Sequence, residues 1–288
     1  MAIGRKHKFA VDKIFPSIGR CIYCGSKEQL SDEHVIPYSL AGDYVFKDAS
    51  CSECAKVTSR EELWAARGVF GALRQAHGFP KRKRKNRKES GGVKVVVTTA
   101  GVSREIIVPA DQAPTSPLFA PIFPPAGILV GRAPTLEIPG ISYRVVLPHP
   151  PDHEERLKRF KGDGPTTVSV SGNWGLNNFM CLLAKIGHGF AVAGYGPDSF
   201  VPLLPDYILD RDRRLAHVIG GTSEEIAATP PGSGLNSEHA AHAWSLGIRS
   251  IGGNHYVAVH IQLFRYLGYP VYEVIAGIAS EELLTRVL

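Results

Sequence analysis

The chain has 288 residues, of which 44% are hydrophobic and 21% are charged, and its formal net charge is +6. A chain of this length and composition can bury a substantial core in one or two domains. It contains no run of about 18 apolar residues that could span a bilayer, and its charged first 13 residues precede no apolar segment. These features exclude a membrane-spanning helix and a secretory signal peptide, and they predict a soluble, cytoplasmic protein without a membrane partner.

The positive charge is concentrated near the N-terminus. Residues 1–92 contain 18 Lys and Arg against 10 Asp and Glu, whereas the remaining residues contain 15 against 17. A polyanion such as a nucleic acid is therefore expected to meet the N-terminal part of the chain.

Four of the five cysteines form two pairs, Cys21-x-x-Cys24 and Cys51-x-x-Cys54. Each pair can present two thiolates from a tight turn, and two such knuckles at this separation suit one tetrahedral zinc ion. The acidic-histidine run Asp32-Glu33-His34 lies between them. The fifth cysteine, Cys181, stands in an apolar segment and is predicted to be a small buried hydrophobe.

A helix and then a basic run follow the knuckles. Ser50 and Glu53 match a capping box that would start a helix near residue 50, and apolar spacing predicts a helix over residues 61–77. Residues 81–88 contain seven basic side chains in eight positions: Lys81, Arg82, Lys83, Arg84, Lys85, Arg87 and Lys88. Such a run cannot pack into a core, so it predicts a linker over residues 80–92 that also contacts phosphates, in preference to a purely solvated spacer.

The remainder of the chain mixes strands and helices. Runs rich in β-branched residues at 93–98 and 104–108 flank Ala100-Gly101 and predict a hairpin, and a Pro-rich stretch contains a strand at 141–147. Further on we predict a helix at 177–192, strands at 255–260 and 271–276, and a short helix at 281–288. His239 and His242 are expected to be buried and satisfied, or exposed, rather than metal ligands.

These elements predict an α+β fold. We expect a small zinc-stapled module over residues 1–79, a basic linker over 80–92, and a larger mixed α/β domain of unassigned fold over 93–288.

The motifs of the first quarter of the chain resemble those of the HNH, or ββα-metal, endonucleases, in particular the zinc-stapled branch that includes phage resolvases of the endonuclease VII type. The resemblance rests on Cys21-Ile22-Tyr23-Cys24-Gly25, on Asp32-Glu33-His34-Val35-Ile36-Pro37 and on Ser50-Cys51-Ser52-Glu53-Cys54. It implies a structural Zn²⁺, a catalytic Mg²⁺ or Mn²⁺, and hydrolysis of DNA phosphodiester bonds, with double-stranded DNA the favoured substrate, in a defence or mobile-element system.

The resemblance also assigns roles to individual positions. Glu33 would ligate the catalytic ion, His34 would activate water as a general base, and the position after the last knuckle cysteine would supply the second metal ligand. That position is Ala55, whose methyl group cannot bind a metal. Glu62 lies two helical turns beyond it, about 10 Å by the helical rise, so we expect Glu61 or Glu62 beside the site and not in direct contact with the ion.

Ala55 leaves two interpretations open. In the first, which we favour because Glu33, His34 and all four cysteines remain, Ala55 is an introduced substitution that inactivates an HNH endonuclease. In the second, Ala55 is native to a zinc-dependent nucleic-acid-binding protein that does not cleave. A third hypothesis, that residues 93–288 are themselves an enzyme, lacks a convincing catalytic constellation. We expect that region to recognise targets, to form a homo-oligomer or to bind a protein partner.

Overall fold

The computed structural model describes residues 13–76, 79, 93–109, 112–115, 117–147, 152–161, 166–170, 175–222 and 241–287. The predicted linker, including Lys81 to Lys88, and His239 lie outside these residues. The fold mixes α-helices and β-sheets, as predicted, with a small N-terminal module and a larger β-rich C-terminal region.

The strands are β1 (Lys13–Phe15), β2 (Leu30–His34), β3 (Tyr44–Cys51), β4 (Val93–Thr99), β5 (Val102–Val108), β6 (Leu118–Ile122), β7 (Ser142–Val146), β8 (Thr166–Val170), β9 (Phe200–Pro202), β10 (Ile219–Gly221), β11 (His242–Ile251), β12 (Asn254–Leu263) and β13 (Val271–Ala279). The α-helices are α1 (Ser52–Arg67), α2 (Gly71–Ala76), α3 (His153–Lys158), α4 (Leu176–Tyr195), α5 (Pro205–Ile208) and α6 (Glu281–Val287). Short 3-10 helices occupy Tyr38–Leu40, Gly127–Val130, Leu215–His217 and Arg265–Leu267.

The N-terminal module is a three-stranded sheet followed directly by α1. β3 lies in the centre, pairing in parallel with β1 and antiparallel with β2, whose register shifts between Ser31 and Glu33. The predicted capping box is wrong, because α1 begins at Ser52 and its N-cap, Cys51, makes no side-chain cap. Ser50 is instead buried at the end of β3, where its hydroxyl cannot cap the helix.

The helix predicted over residues 61–77 is divided into two. α1 already starts nine residues earlier in the chain and ends at Arg67, and the amide of the next residue, Gly68, donates to Trp64 O at 2.8 Å. After this break the chain turns into α2. The break lies at Gly68 because glycine has a low propensity to continue a helix.

The described residues of the C-terminal region form three sheets. The largest has the strand order β10-β13-β12-β11, with β9 pairing with β13 at one end. The strands predicted at 255–260 and 271–276 lie inside β12 and β13 and are confirmed. The predicted hairpin is also confirmed as β4 and β5, and its two turn residues, Ala100 and Gly101, have positive φ angles of 50° and 81°.

Helix α4 lies between the N-terminal module and the largest sheet, and it confirms the helix predicted at 177–192. Two of its glycines allow close packing on both sides. A Cβ atom on Gly187 would lie 2.6 Å from Val274 Cγ1 in β13, and one on Gly189 would lie 2.9 Å from Val35 Cγ1 in the module. Within the part of the chain that the structure describes, α4 included, no helix has the length and apolar character needed to cross a membrane.

Residues of the module and of the C-terminal region contribute to one buried hydrophobic cluster. Phe190 of α4 stacks on Trp244 of β11 with ring centroids 4.1 Å apart, and its ring meets Tyr44 of β3 edge-on at 5.2 Å. Two histidines of the C-terminal region also donate to backbone oxygens of the module, His188 Nε2 to Ile22 O at 2.7 Å and His242 Nε2 to Leu40 O at 2.8 Å. The domain boundaries at residues 79 and 93 stay a prediction, whereas α4 packs directly against the module.

Candidate functional site

The four knuckle cysteines converge at one point. Their sulfur atoms all lie within 4.8 Å of one another, and Cys24 Sγ is 3.6 Å from Cys51 Sγ. The first pair lies in a tight turn in which the Gly25 amide donates to Cys21 O at 2.9 Å and Gly25 takes a positive φ of 77°. The second pair joins the end of β3 to the first turn of α1. This geometry confirms that the predicted cysteines can share one ion.

Sulfur is the only donor type in this cluster, and four thiolates suit a structural zinc ion. Without a cation the thiolate of Cys54 is unfavourable, because burial, followed by the neighbouring Cys24 and Cys21, raises the pKa of Cys54. A divalent cation reverses this preference because it stabilises the deprotonated form. Among the residues with described positions, no other group of three or more His, Cys, Asp or Glu side chains could hold a metal ion.

The cysteine cluster is built on the element order β2, β3, α1, with Glu33 and His34 at the end of β2. Residues 21–61 match the HNH endonuclease family. We therefore call these residues the HNH module. The matched segment contains both knuckles, Glu33, His34 and Ala55, and its family acts as nucleases on nucleic acids. No curated protein and no solved structure matches the chain.

Glu33 and His34 differ in exposure, because neighbouring residues of a strand point to opposite faces. Glu33 is buried, with 7% of its surface exposed, whereas His34 is partly exposed and its ring meets Tyr38 edge-on at 5.8 Å. Ala55 lies in the first turn of α1 and is partly exposed. The structure thus places the three predicted catalytic positions on the β2 and α1 elements of the HNH module.

The carboxylate of Glu33 binds an amino group from the C-terminal region. Lys185 Nζ, in the middle of α4, lies 2.7 Å from Glu33 Oε1 and 2.5 Å from Glu62 Oε1, and it also donates to His34 O. Only 3% of the Lys185 side chain is exposed. An ammonium group has three N–H donors, so these three oxygen atoms satisfy all of them.

The buried charges stabilise one another. Burial alone would lower the pKa of Lys185, but the carboxylates of Glu33 and Glu62 together outweigh it, so the pKa is raised and the amine stays protonated. Burial raises the pKa of Glu33, and the Lys185 ammonium opposes that rise. Removal of the ammonium would leave two carboxylates facing each other in a site with little access to water.

The arrangement does not fit the catalytic divalent ion that the resemblance implies. Position 55 offers a methyl group, and the carboxylate of Glu33 is already bound to Lys185. Glu62, which we expected beside the site, contacts the same ammonium group as Glu33. The Oε1 atoms of Glu33 and Glu62 can therefore be no farther apart than the sum of their distances to Lys185 Nζ. The catalytic roles of Glu33, His34 and position 55 stay predictions.

A second polar network continues along α1 and α4. Glu61 is buried and accepts hydrogen bonds from Asn178 Nδ2 at 2.5 Å and Arg60 Nε at 3.2 Å, and Arg213 lies 3.9 Å away. A small pocket opens here, lined by Thr58, Glu61, Glu62, Cys181, Leu182, Lys185 and Ile208. Cys181 is buried as predicted, with its Sγ 3.8 Å from Tyr207 O.

Lys185 was not among the residues predicted from the sequence, although a signal for it exists. It is the only Lys, Arg, Asp or Glu in the 20 residues of α4. A lone charge in an otherwise apolar helix is buried only when it is paired. The signal indicates that a carboxylate partner exists but does not identify Glu33 and Glu62 as that partner.

Proposed function

We propose that the chain is a zinc-stapled HNH protein that binds nucleic acid and does not hydrolyse it in its present form. The observation that carries this proposal is that residues 21–61 match the HNH family and the four cysteines converge, while position 55, in the first turn of α1, has no metal-binding side chain. An HNH module that keeps its zinc-binding cysteines but lacks the second ligand of the catalytic metal supports binding of nucleic acid and does not support metal-assisted hydrolysis.

Electrostatic attraction to phosphate would supply most of the affinity. The excess of Lys and Arg over Asp and Glu lies within residues 1–92, and seven of those basic residues belong to the run from Lys81 to Lys88. Contacts of this kind release counterions, so binding should weaken steeply as salt rises and should depend little on sequence. We propose duplex DNA as the first substrate to test, with RNA as the comparison.

The test measures binding and cleavage on the same zinc-loaded protein. Fluorescence anisotropy with a labelled DNA duplex should show binding that falls with salt, and a variant in which the seven basic residues of the run are replaced by Ser should bind more weakly with a shallower salt dependence. Supercoiled plasmid incubated with Mg²⁺ or Mn²⁺ should remain uncut. The proposal fails if neither DNA nor RNA binds at low salt, or if the plasmid is nicked and His34→Ala abolishes the nicking.

A second candidate is an HNH endonuclease that Ala55 alone inactivates. It is favoured by the presence of Glu33 and His34 side by side on β2, with the His34 ring partly exposed beside Tyr38. In this case Ala55→Asn should nick plasmid with Mg²⁺ or Mn²⁺, and Ala55→Asn combined with His34→Ala should not. If Ala55→Asn leaves plasmid intact, Ala55 is not the sole obstacle to cleavage.

A further inference from the structure

We propose that the ammonium group of Lys185 is the resident cation of the HNH module, bound by Glu33, Glu62 and the His34 carbonyl in place of a divalent metal ion. This inference rests on the proposed function, because it concerns the part of the HNH module in which a nuclease would hold its catalytic metal. It extends that function by stating what prevents cleavage in addition to Ala55.

The atoms around Lys185 Nζ form the set of ligands that a hard divalent cation prefers. Two carboxylate oxygens and one backbone carbonyl oxygen surround a single positive charge. Mg²⁺ and Mn²⁺ bind oxygen ligands of these types. Two of the three oxygens come from β2 and the third comes from α1, which are the same two elements that carry the predicted catalytic positions.

Glu62 supplies the contact from α1 that Ala55 cannot make. The two residues are seven positions apart, so they lie on the same face of the helix. The longer side chain of Glu62 brings its carboxylate to the nitrogen that Glu33 also contacts. The site therefore retains one carboxylate from the strand and one from the helix despite the methyl group at position 55.

A free metal ion would not readily displace the ammonium. Lys185 lies in the buried stretch of α4, and its neighbour along the helix, Gly189, packs against Val35 of the module. Only 3% of the Lys185 side chain is exposed, and an ammonium that loses its three oxygen partners while it stays buried is strongly unfavourable. A divalent ion placed beside it would also meet a like charge at short range.

The test compares the response of three zinc-loaded proteins to Mn²⁺. The unaltered chain and Lys185→Arg, which keeps a cation at this place, should show no Mn²⁺-dependent rise in Tm and no tightly bound Mn²⁺ by electron paramagnetic resonance. Lys185→Met should have a lower Tm, because the buried carboxylate of Glu33 and the partly exposed carboxylate of Glu62 lose their partner. It should bind one Mn²⁺ that raises Tm as the Mn²⁺ concentration increases. Addition of Glu62→Gln to Lys185→Met should remove most of that response.

Two results would overturn the proposal. One is a single Mn²⁺ bound to the unaltered chain and lost in Glu33→Gln, since the ammonium would then not fill the site. The other is a folded Lys185→Met that gains no Mn²⁺ binding. If Lys185→Met does not fold even with Mn²⁺, the result for Ala55→Asn decides, because Ala55 is partly exposed and its replacement leaves the buried Lys185 in place. The proposal requires that Ala55→Asn bind no Mn²⁺, and binding overturns it.

The same proteins separate this inference from the proposed function. If none of them binds DNA or RNA, the proposed function fails, whereas the recovery of Lys185→Met by Mn²⁺ still supports Lys185 as the resident cation. If Ala55→Asn nicks plasmid while Lys185 is intact, the inference fails and the nuclease origin of the module stands. If Ala55→Asn combined with Lys185→Met nicks plasmid and Ala55→Asn alone does not, then both Ala55 and the Lys185 ammonium prevent cleavage in the unaltered chain.

Discussion

The five cysteines differ in what surrounds their sulfur atoms. Cys21, Cys51 and Cys54 are buried and Cys24 is exposed, yet all four sulfurs face one another. Cys181 is buried among α4 and α5, away from this group, and its sulfur contacts Tyr207 O and Arg213. Only the first four are placed to share a metal ion, although all five are free thiols in the structure.

We expect Cys51→Ser to lose zinc and Cys181→Ala to retain it. The loss of a structural ion is among the largest single-site effects, so Cys51→Ser should be destabilised by more than about 3 kcal/mol. Zinc content by mass spectrometry and denaturant unfolding check both variants. Equal zinc content in the two variants, or destabilisation of Cys181→Ala alone, would contradict the assignment of the zinc centre.

At the scale of the element, α4 is organised by its small residues. Gly187 faces β13 and Gly189 faces Val35, the residue that follows β2, so one helix approaches a sheet on one side and the HNH module on the other. Glycine normally weakens a helix by about 1 kcal/mol relative to alanine. Close packing on two faces offsets that loss, and it also brings Lys185 within reach of Glu33.

Gly187→Ala should destabilise the protein although alanine favours helix formation. The added Cβ would lie 2.6 Å from Val274 Cγ1 and 2.9 Å from Val274 Cβ. The β-branched side chain of valine in a sheet has little freedom to move away. Overpacking of this kind costs about 1–3 kcal/mol. Gly71→Ala in α2 is the matched control, because its added Cβ meets no atom within 4 Å and it should be neutral or stabilising. Thermal unfolding of both variants measures the contrast.

The sequence predicted those elements whose signals are local. The two knuckles follow from cysteine spacing, the helix at 177–192 from apolar composition, and the hairpin of β4 and β5 from β-branched runs around Ala100-Gly101. The capping box failed because the Ser50 hydroxyl is buried at the end of β3 and the helix starts two residues later. Hydrophobic and propensity patterns do not report such tertiary placement.

The contact of Lys185 with the HNH module could not be predicted in the same way. Lys185 and His34 are 151 positions apart, and no periodicity in the sequence relates residues at that separation. Glu62 illustrates the same limit: the helical rise correctly places it two turns from Ala55, but only the docking of α4 brings Glu62 and Glu33 to one nitrogen. Pairings of this kind depend on the tertiary fold.

At the scale of the whole molecule, two buried histidines link the C-terminal region to the HNH module. His242 Nε2 donates to Leu40 O, and its Nδ1 accepts from the Phe264 amide at 3.3 Å. The neutral ring therefore uses both nitrogens, and a second proton would remove an acceptor at a buried site. Burial lowers the pKa of His242 to about 4 and that of His188 likewise.

The stability of the protein should therefore decline on acidification. The pKa of His242 is about 4 in the folded protein and 6.5 in the unfolded chain. Between these pH values the unfolded chain binds one more proton than the folded protein does. The contribution of His242 to the free energy of unfolding should be fully present above pH 6.5. It should fall by about 3 kcal/mol as the pH is lowered toward 4.

His242→Gln is the matched variant, since its amide can donate to Leu40 O and accept from the Phe264 amide but cannot titrate. Denaturant unfolding between pH 4 and 7.5 should show a shallower decline for His242→Gln than for the unaltered chain. Any release of zinc by acid affects both proteins equally. Identical slopes would show that His242 does not limit stability in acid.

The pairing of Lys185 with Glu33 also imposes an order on biosynthesis. The ribosome produces both cysteine pairs, Glu33 and Glu62 long before it reaches α4, so the zinc centre can form while the chain is still being made. The two carboxylates, however, have no ammonium partner until Lys185 has left the exit tunnel and α4 has docked. An N-terminal segment released early would therefore lack the cation that its two carboxylates face, and the translation of α4 is the step that supplies it.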